Sequence, residues 1–273
     1  MPLWFRSKHC MNNMLTGPPA STPEALLGEV FDSITPKASK TELAIDGFVA
    51  YCETLDVDPT IDECYVLAEI VQTPSFGQVT REGFIKGWAK IYSEQQSWKS
   101  SVADNLALQK RLVRARIDQS RRDPEVFRAV YRSAFAASKE PGKRDVDMEA
   151  ALSTWGTLFA AGLHRWRSAN VDFMEAWKDY VTERFWVEDK KVEAEALARL
   201  ARASELGEEE PEMQDKYGRW TRSVSRDLWN QLLPFALKAL QDESLGFWSE
   251  EQAWPGLIDE FVLWCKAKGV VTA

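Results

Sequence analysis

Asp-Pro-Glu-Val-Phe-Arg-Ala-Val-Tyr-Arg-Ser-Ala-Phe-Ala-Ala, residues 123–137, decides the fold. Asp123 offers a side-chain oxygen to cap a helix. Pro124 suits the first helical position, where its missing N–H would go unpaired in any residue. Val126, Val130, Ala134 and Ala137 then recur about one turn apart, with Phe127 and Tyr131 beside them, giving an apolar face. The same cap-then-proline signature stands at Thr22-Pro23 and Asp58-Pro59. After the latter, Ile61, Cys64, Leu67, Ala68 and Val71 fall on one face and predict a helix beginning at Pro59. Asp147 opens another segment, MEAALSTWGTLFAA, predicted to stop at Gly162. No stretch alternates as a half-buried strand does, so the chain is predicted to be all-α.

A chain of 273 residues suffices for one large domain or two small ones with a sizeable core. Twelve tryptophans imply that most serve as core anchors, since each ring buries a large area. The formal net charge of -8 argues against general affinity for nucleic acid or an anionic membrane, and favours basic partners. No apolar run approaches the roughly 18 residues that a membrane span needs, and the first residues lack a signal-peptide core. Cys10, Cys52, Cys64 and Cys265 form no C-x-x-C pair. They read as thiols of a reducing compartment, cytoplasm or nucleus, with a Cys52–Cys64 disulfide as the alternative. Residues 1–21 are expected to form a loose arm, 22–269 the helical domain and 270–273 a tail. Within the domain, residues 188–221 are charged and alanine-rich with few apolar anchors, an expected excursion of solvated helix and acidic loop.

Catalytic chemistry is not signalled. His9 and His164 are the only histidines, and no nucleophile–base arrangement, metal-ligand spacing, P-loop or dinucleotide fingerprint is present. Asp259 and Glu260 are adjacent, so on a helix they point about 100° apart and would not face one substrate. Residues 43–48 and 77–84 each run from a short extended piece into a helix, in the manner of EF-hand loops. With Val79 at the eighth loop position, the ligand positions fall on Gln72, Pro74, Phe76 and Gly83. With Ile45 there, they fall on Ala38, Lys40, Glu42 and Val49. A calcium loop needs several carboxylates and a bidentate acid at its end, so these loops are read as degenerate pairs without metal.

The segment Arg226-Asp227-Leu228-Trp229-Asn230-Gln231-Leu232-Leu233-Pro234-Phe235 is followed, after an acidic and aromatic spacer, by Ala253-Trp254-Pro255-Gly256-Leu257-Ile258-Asp259-Glu260-Phe261-Val262. Together they resemble the potentiating-neddylation domain of the defective-in-cullin-neddylation family. Ile45-Asp46-Gly47, Leu55-Asp56-Val57-Asp58-Pro59 and Met148-Glu149-Ala150-Ala151-Leu152-Ser153-Thr154-Trp155 fit the same pattern in the same order, and the resemblance covers residues 24–187 and 222–268. It implies an all-helical, monomeric scaffold that holds a cullin and the neddylation conjugating enzyme together, touching the RING subunit only indirectly. The thioester cysteine and acceptor lysine would then belong to the partners, and this chain would need no catalytic residue, metal or cofactor. A helical interaction module with other partners is the alternative.

Carried over position by position, the resemblance implies two sites. Asp227, Ala253 and Asp259 would bind the winged-helix C-terminal domain of a cullin, two carboxylates flanking a residue small enough for close approach. Ile45, Phe48, Cys52, Cys64, Leu67, Ala68, Val71 and Val79, with Thr154 and the main chain at Phe76 and Gly77, would form a pocket for the acetylated N-terminal methionine of the conjugating enzyme. Thr154 and Ala137 stand where animal members are expected to carry larger aromatic side chains, and Gln252 stands where a glycine is expected. Read from the residues alone, the pocket set is also what two packed helices would bury, and Asp227 would cap a helix beginning at Leu228.

Overall fold

The computed structural model describes residues 22–36, 39, 41–75, 77–160, 164–206 and 218–271. The arm 1–21, Ala38, Lys40, Phe76, Gly162, the acidic stretch 207–217 and the last two residues, 272–273, lie outside them. In chain order the elements are α1 (Pro23–Ile34), β1 (Glu42–Leu43), α2 (Ile45–Thr54), α3 (Glu63–Ile70), β2 (Val79–Thr80), α4 (Arg81–Gln95), α5 (Val102–Ser120) and α6 (Pro124–Ala137). They continue with β3 (Val146–Asp147), α7 (Met148–Leu158), α8 (Phe173–Phe185), β4 (Trp186–Glu188), α9 (Lys190–Leu206), β5 (Gly218–Trp220), β6 (Ser223–Val224), α10 (Arg226–Gln241) and α11 (Gly256–Lys268). The chain is all-α, its strands being no more than short ladders.

Caps explain the boundaries. Thr22 and Asp123 each accept a backbone N–H ahead of α1 and α6, with proline inside the first turn as expected. Asp58 does something else. Its Oδ1 takes both the backbone N–H (2.8 Å) and the hydroxyl (2.7 Å) of Thr60. That local turn competes with helix formation, so α3 begins at Glu63 and not at Pro59. At the other end of the chain's middle third, α7 closes at Leu158, short of the stop predicted from the sequence.

The short strands join loops in pairs. β1 pairs antiparallel with β2, and β3 with β6, so α2, α4, α7 and α10 each start directly from a ladder. The register sets Leu43, not Ile45, opposite Val79. Counting the first loop from Leu43 moves its ligand positions to Pro36, Ala38, Lys40 and Gly47, none of them acidic. The β4–β5 ladder, unforeseen in the sequence, brackets the charged segment and packs Trp186 against Trp220 with ring centroids 5.1 Å apart.

Helix α6 runs through the centre, against α3, α5, α7 and α10. Its Tyr131 ties three helices: the hydroxyl donates to Trp229 O (2.9 Å) and accepts from Trp155 Nε1 (3.0 Å), while Trp229 Nε1 donates to Tyr131 O (2.8 Å). Tyr51 does the same in the N-terminal half, accepting from Trp88 Nε1 and donating to Gln109 Oε1. Five tryptophans, Trp88, Trp155, Trp166, Trp177 and Trp229, are fully buried. Cys52, Cys64 and Cys265 are free thiols, which removes the Cys52–Cys64 disulfide.

Candidate functional site

The α10–α11 end is built from caps outward. Ser225 caps α10 by accepting the Leu228 N–H at 3.2 Å, and the helix begins at Arg226. Asp227 is therefore not the cap. It lies exposed in the first turn, where a carboxylate is favoured by the helix dipole, and makes no side-chain hydrogen bond or ion pair with the described residues. α11 buries Leu257, Ile258, Phe261, Val262 and Cys265, as their spacing predicts, and ends on Gly269 in a left-handed cap. Asp259 and Glu260 then diverge. Glu260, still exposed, reaches α8, accepting from Tyr180 Oη at 3.2 Å and pairing with Arg184 at 3.4 Å. Asp259 turns to the connecting loop and accepts from Trp248 Nε1 at 2.8 Å.

That connecting loop, residues 242–255, is tied down by its own side chains. Asp242 accepts from the backbone and hydroxyl of Ser244, and the hydroxyl's bond holds its carboxyl below the usual carboxylate range. Leu245 is fully buried with a left-handed φ of 57°, a conformation that a branched residue keeps only when its surroundings insist. Gln252 links Phe247 O to Trp254 Nε1, and Trp254 meets Phe235 of α10 edge-on at 5.7 Å. Lys238 covers both the Phe247 and Trp254 rings. Ala253 is exposed between these anchors. Asp227 precedes Phe235 by eight residues, about 12 Å of helix rise along α10. Leu263, one turn beyond Asp259, is 48% exposed and leaves an apolar side chain at the surface.

The second set of residues divides by depth. Cys52, Leu67, Val71 and Val79 are fully buried in the core, with Ala68 and Thr154 almost so. Burial pushes the Cys52 and Cys64 thiols up to about 12, leaving both neutral and apolar in character. Ile45 is exposed, while Phe48 and Cys64 are half-buried, so these three make the rim. Gly77 adopts φ +61°, and a Cβ there would lie 2.7 Å from Ile45 Cβ, so the bare backbone passes directly against the rim. Phe76 lies outside the described residues. Thr154 is joined from the other side of α3: its hydroxyl bonds Tyr65 Oη (3.0 Å) and Ser138 Oγ (2.7 Å). Ala137, the other position of expected departure, is buried at the end of α6.

Ion pairs fix the start of α3, next to Cys64. Arg121 grips Asp62 through two hydrogen bonds at 2.9 and 3.2 Å, and Arg114 pairs with the buried Glu63 at 2.8 Å. Beside Ile61 opens a cleft of about 670 Å³ between Thr60–Asp62, the outer face of α7 and the start of α8. Ile61, Leu152, Gly156 and Met174 give it an apolar wall, with Arg121, Glu175 and Lys178 at the edge. Gly156 faces open space, with nothing within 4 Å of an added Cβ. Sequence reading missed this cleft, Trp248 and Leu263. For Leu263 a signal existed, its i+4 spacing from Asp259.

As a class, this is an all-α domain with a carboxylate, Asp227 or Asp259, in the first turn of each of its last two helices. Residues 108–264 match the protein family described as Cullin binding, a span that includes Asp227, Ala253 and Asp259. The chain is 30% identical to "Defective in cullin neddylation protein 1" of Pyricularia oryzae, across 96% of this chain and 80% of that protein. Its Yarrowia lipolytica namesake is 24% identical across 90% and 81%, and human "DCN1-like protein 3" is 22% identical across 80% and 55%. The chain belongs to the cullin-binding, defective-in-cullin-neddylation family.

Proposed function

We propose that this chain promotes cullin neddylation as a non-catalytic scaffold, docking a cullin C-terminal domain on its α10–α11 end and the conjugating enzyme's acetylated N-terminus at the α2–α3 rim. The observation that carries the reading is the divergence of Asp259 from Glu260. Glu260, though exposed, is taken up by Tyr180 and Arg184 of α8. Among the described residues the half-buried Asp259 accepts only from Trp248, of the loop that also carries the exposed Ala253, within the span that matches the cullin-binding family. Binding both partners at once converts an encounter of three proteins into an intramolecular transfer, an advantage of several kcal/mol that needs no reacting side chain here. The unpaired Cys52, Cys64 and Cys265 fit a reducing compartment, cytoplasm or nucleus, for this role, and a net charge of -8 suits a basic docking surface.

At the second site a neutral acetyl-methionine can enter an apolar pocket, whereas a free ammonium would have to shed its water. Because the floor residues are already core, entry is by displacement of the half-buried Phe48 and Cys64 rather than into an open hole.

Asp259→Lys tests the first site. Loss of one partner of a desolvated charge pair costs about 2–5 kcal/mol, so cullin capture should disappear while the circular dichroism spectrum is unchanged. A variant that still captures the cullin would end this assignment. For the second site, acetylated and unacetylated peptides of the conjugating enzyme's N-terminus are titrated, and equal affinities would exclude acetyl-methionine recognition. A reconstituted neddylation reaction, with and without the chain, measures the combined effect.

A further inference from the structure

The Asp259 carboxylate is held from one side only. Trp248 Nε1 donates to Oδ1 at 2.8 Å, while Oδ2 receives no hydrogen bond from the described residues. Trp248 is itself fixed by groups that do not include Asp259. Its backbone N–H donates to Leu245 O at 3.1 Å, and Leu245 is anchored by complete burial. The preceding Phe247 packs on Phe235 of α10 with centroids 5.7 Å apart. On its other face the indole carries the Lys266 ammonium 4.7 Å from the ring centroid, two turns along α11 from Asp259. A lysine drawn onto an aromatic face gains a favourable cation–π contact there. The indole thus joins the loop to α11 twice, once through its N–H and once through its face.

We infer that Trp248 is a positioning residue of the cullin-docking site, holding the Asp259 carboxylate in one orientation with Oδ2 presented to a cationic side chain of the cullin. This rests on the reading of Asp259 as a docking charge. An unrestrained aspartate would lose rotamer freedom on binding, whereas one already fixed by an indole N–H has lost it during folding. The partner's cation then meets an acceptor set in advance, the same reason that binding sites work best when neighbours lock their contact residues.

The test is a two-by-two set of variants, with affinity for a purified cullin C-terminal domain measured by calorimetry. Trp248→Phe keeps a ring for Lys266 and removes only the N–H. It is expected to bind about three- to tenfold more weakly, the usual effect of losing one hydrogen bond to an ionised group's environment, with an unchanged circular dichroism spectrum. Asp259→Asn removes the charge and is expected to lose more. Trp248→Phe added to Asp259→Asn is expected to lose nothing further, because there is no charge left to orient. Trp248→Phe at wild-type affinity, or the same fold loss in the Asp259→Asn background, would overturn the inference while leaving Asp259 as the docking charge. Asp259→Asn at full affinity would overturn the docking reading itself, and this inference with it.

Discussion

The two candidate sites differ in what the fold has already done with them. At the α10–α11 end Asp227 and Ala253 are exposed and Asp259 is half-buried, the last held by Trp248 of a loop wired by Ser244 and Gln252, so its polar groups reach solvent without supporting the core. The α2–α3 set sinks Cys52, Leu67, Val71 and Val79 into the same core that supports the whole domain. A charge can be a binding group and an innocuous surface residue at once. An apolar pocket wall cannot be so separated, because the atoms that would hold a ligand are holding the protein.

Thiol chemistry should show the largest contrast. With Cys52 and Cys64 pushed up to about 12, their thiolates at pH 8 are scarcer than in the unfolded chain on the order of a thousandfold. Site-resolved mass spectrometry should find alkylation by iodoacetamide strongly slowed at both positions in the native protein relative to the unfolded chain. Fast labelling of Cys52 would mean that the α2–α3 site opens readily. Next, Leu67→Ala should cost about 2–5 kcal/mol in a denaturant titration, since it empties a fully buried position. A loss under about 1 kcal/mol would show the pocket floor to be separable from the core after all. Gly156→Ala, on the cleft-facing side of α7, should instead stabilise by about 0.5–1 kcal/mol, because it relieves a helix-interior glycine without a clash. If the conjugating-enzyme peptide also reaches this cleft, the same substitution will weaken its binding; unchanged affinity confines the peptide to the rim. Smallest of all, Ala253→Arg should alter stability by no more than about 0.5 kcal/mol while ending cullin binding. A large drop in melting temperature would mean that Ala253 serves the fold.

Much of the fold was legible because the relevant physics is local. The α6 stretch announced its cap, its proline and its apolar face, and Tyr131 and Ala134 sit in the core where that face put them. The stripe of α11 was equally plain. What failed was competition between local options. Asp58 spent its carboxylate on Thr60, delaying α3, and Ser225 took the capping role that the residues alone would have given Asp227. The contacts that shape the candidate sites join distant residues: Trp248 to Asp259 across a loop without periodicity, Thr154 to Tyr65 across 89 positions. No spacing rule reports these. The alignment of Asp227, Ala253 and Asp259 came from resemblance to a family, and it took a structure to show that Glu260, equally acidic, is already engaged.

The β4–β5 ladder has a consequence for construction as well as for shape. Glu188 and Gly218 are register partners at its end, so their α-carbons are about 5 Å apart although 30 positions separate them in sequence. The chain leaves the ladder after Glu188 and returns to it at Gly218, close to the Trp186–Trp220 pair. Replacing that span with a two-residue Asn-Gly turn would close the ladder as an ordinary hairpin and leave the order of the remaining helices intact. The same pair of ends would accept a foreign domain whose own termini lie close together, making Glu188 and Gly218 a natural port for a reporter or a second binding module.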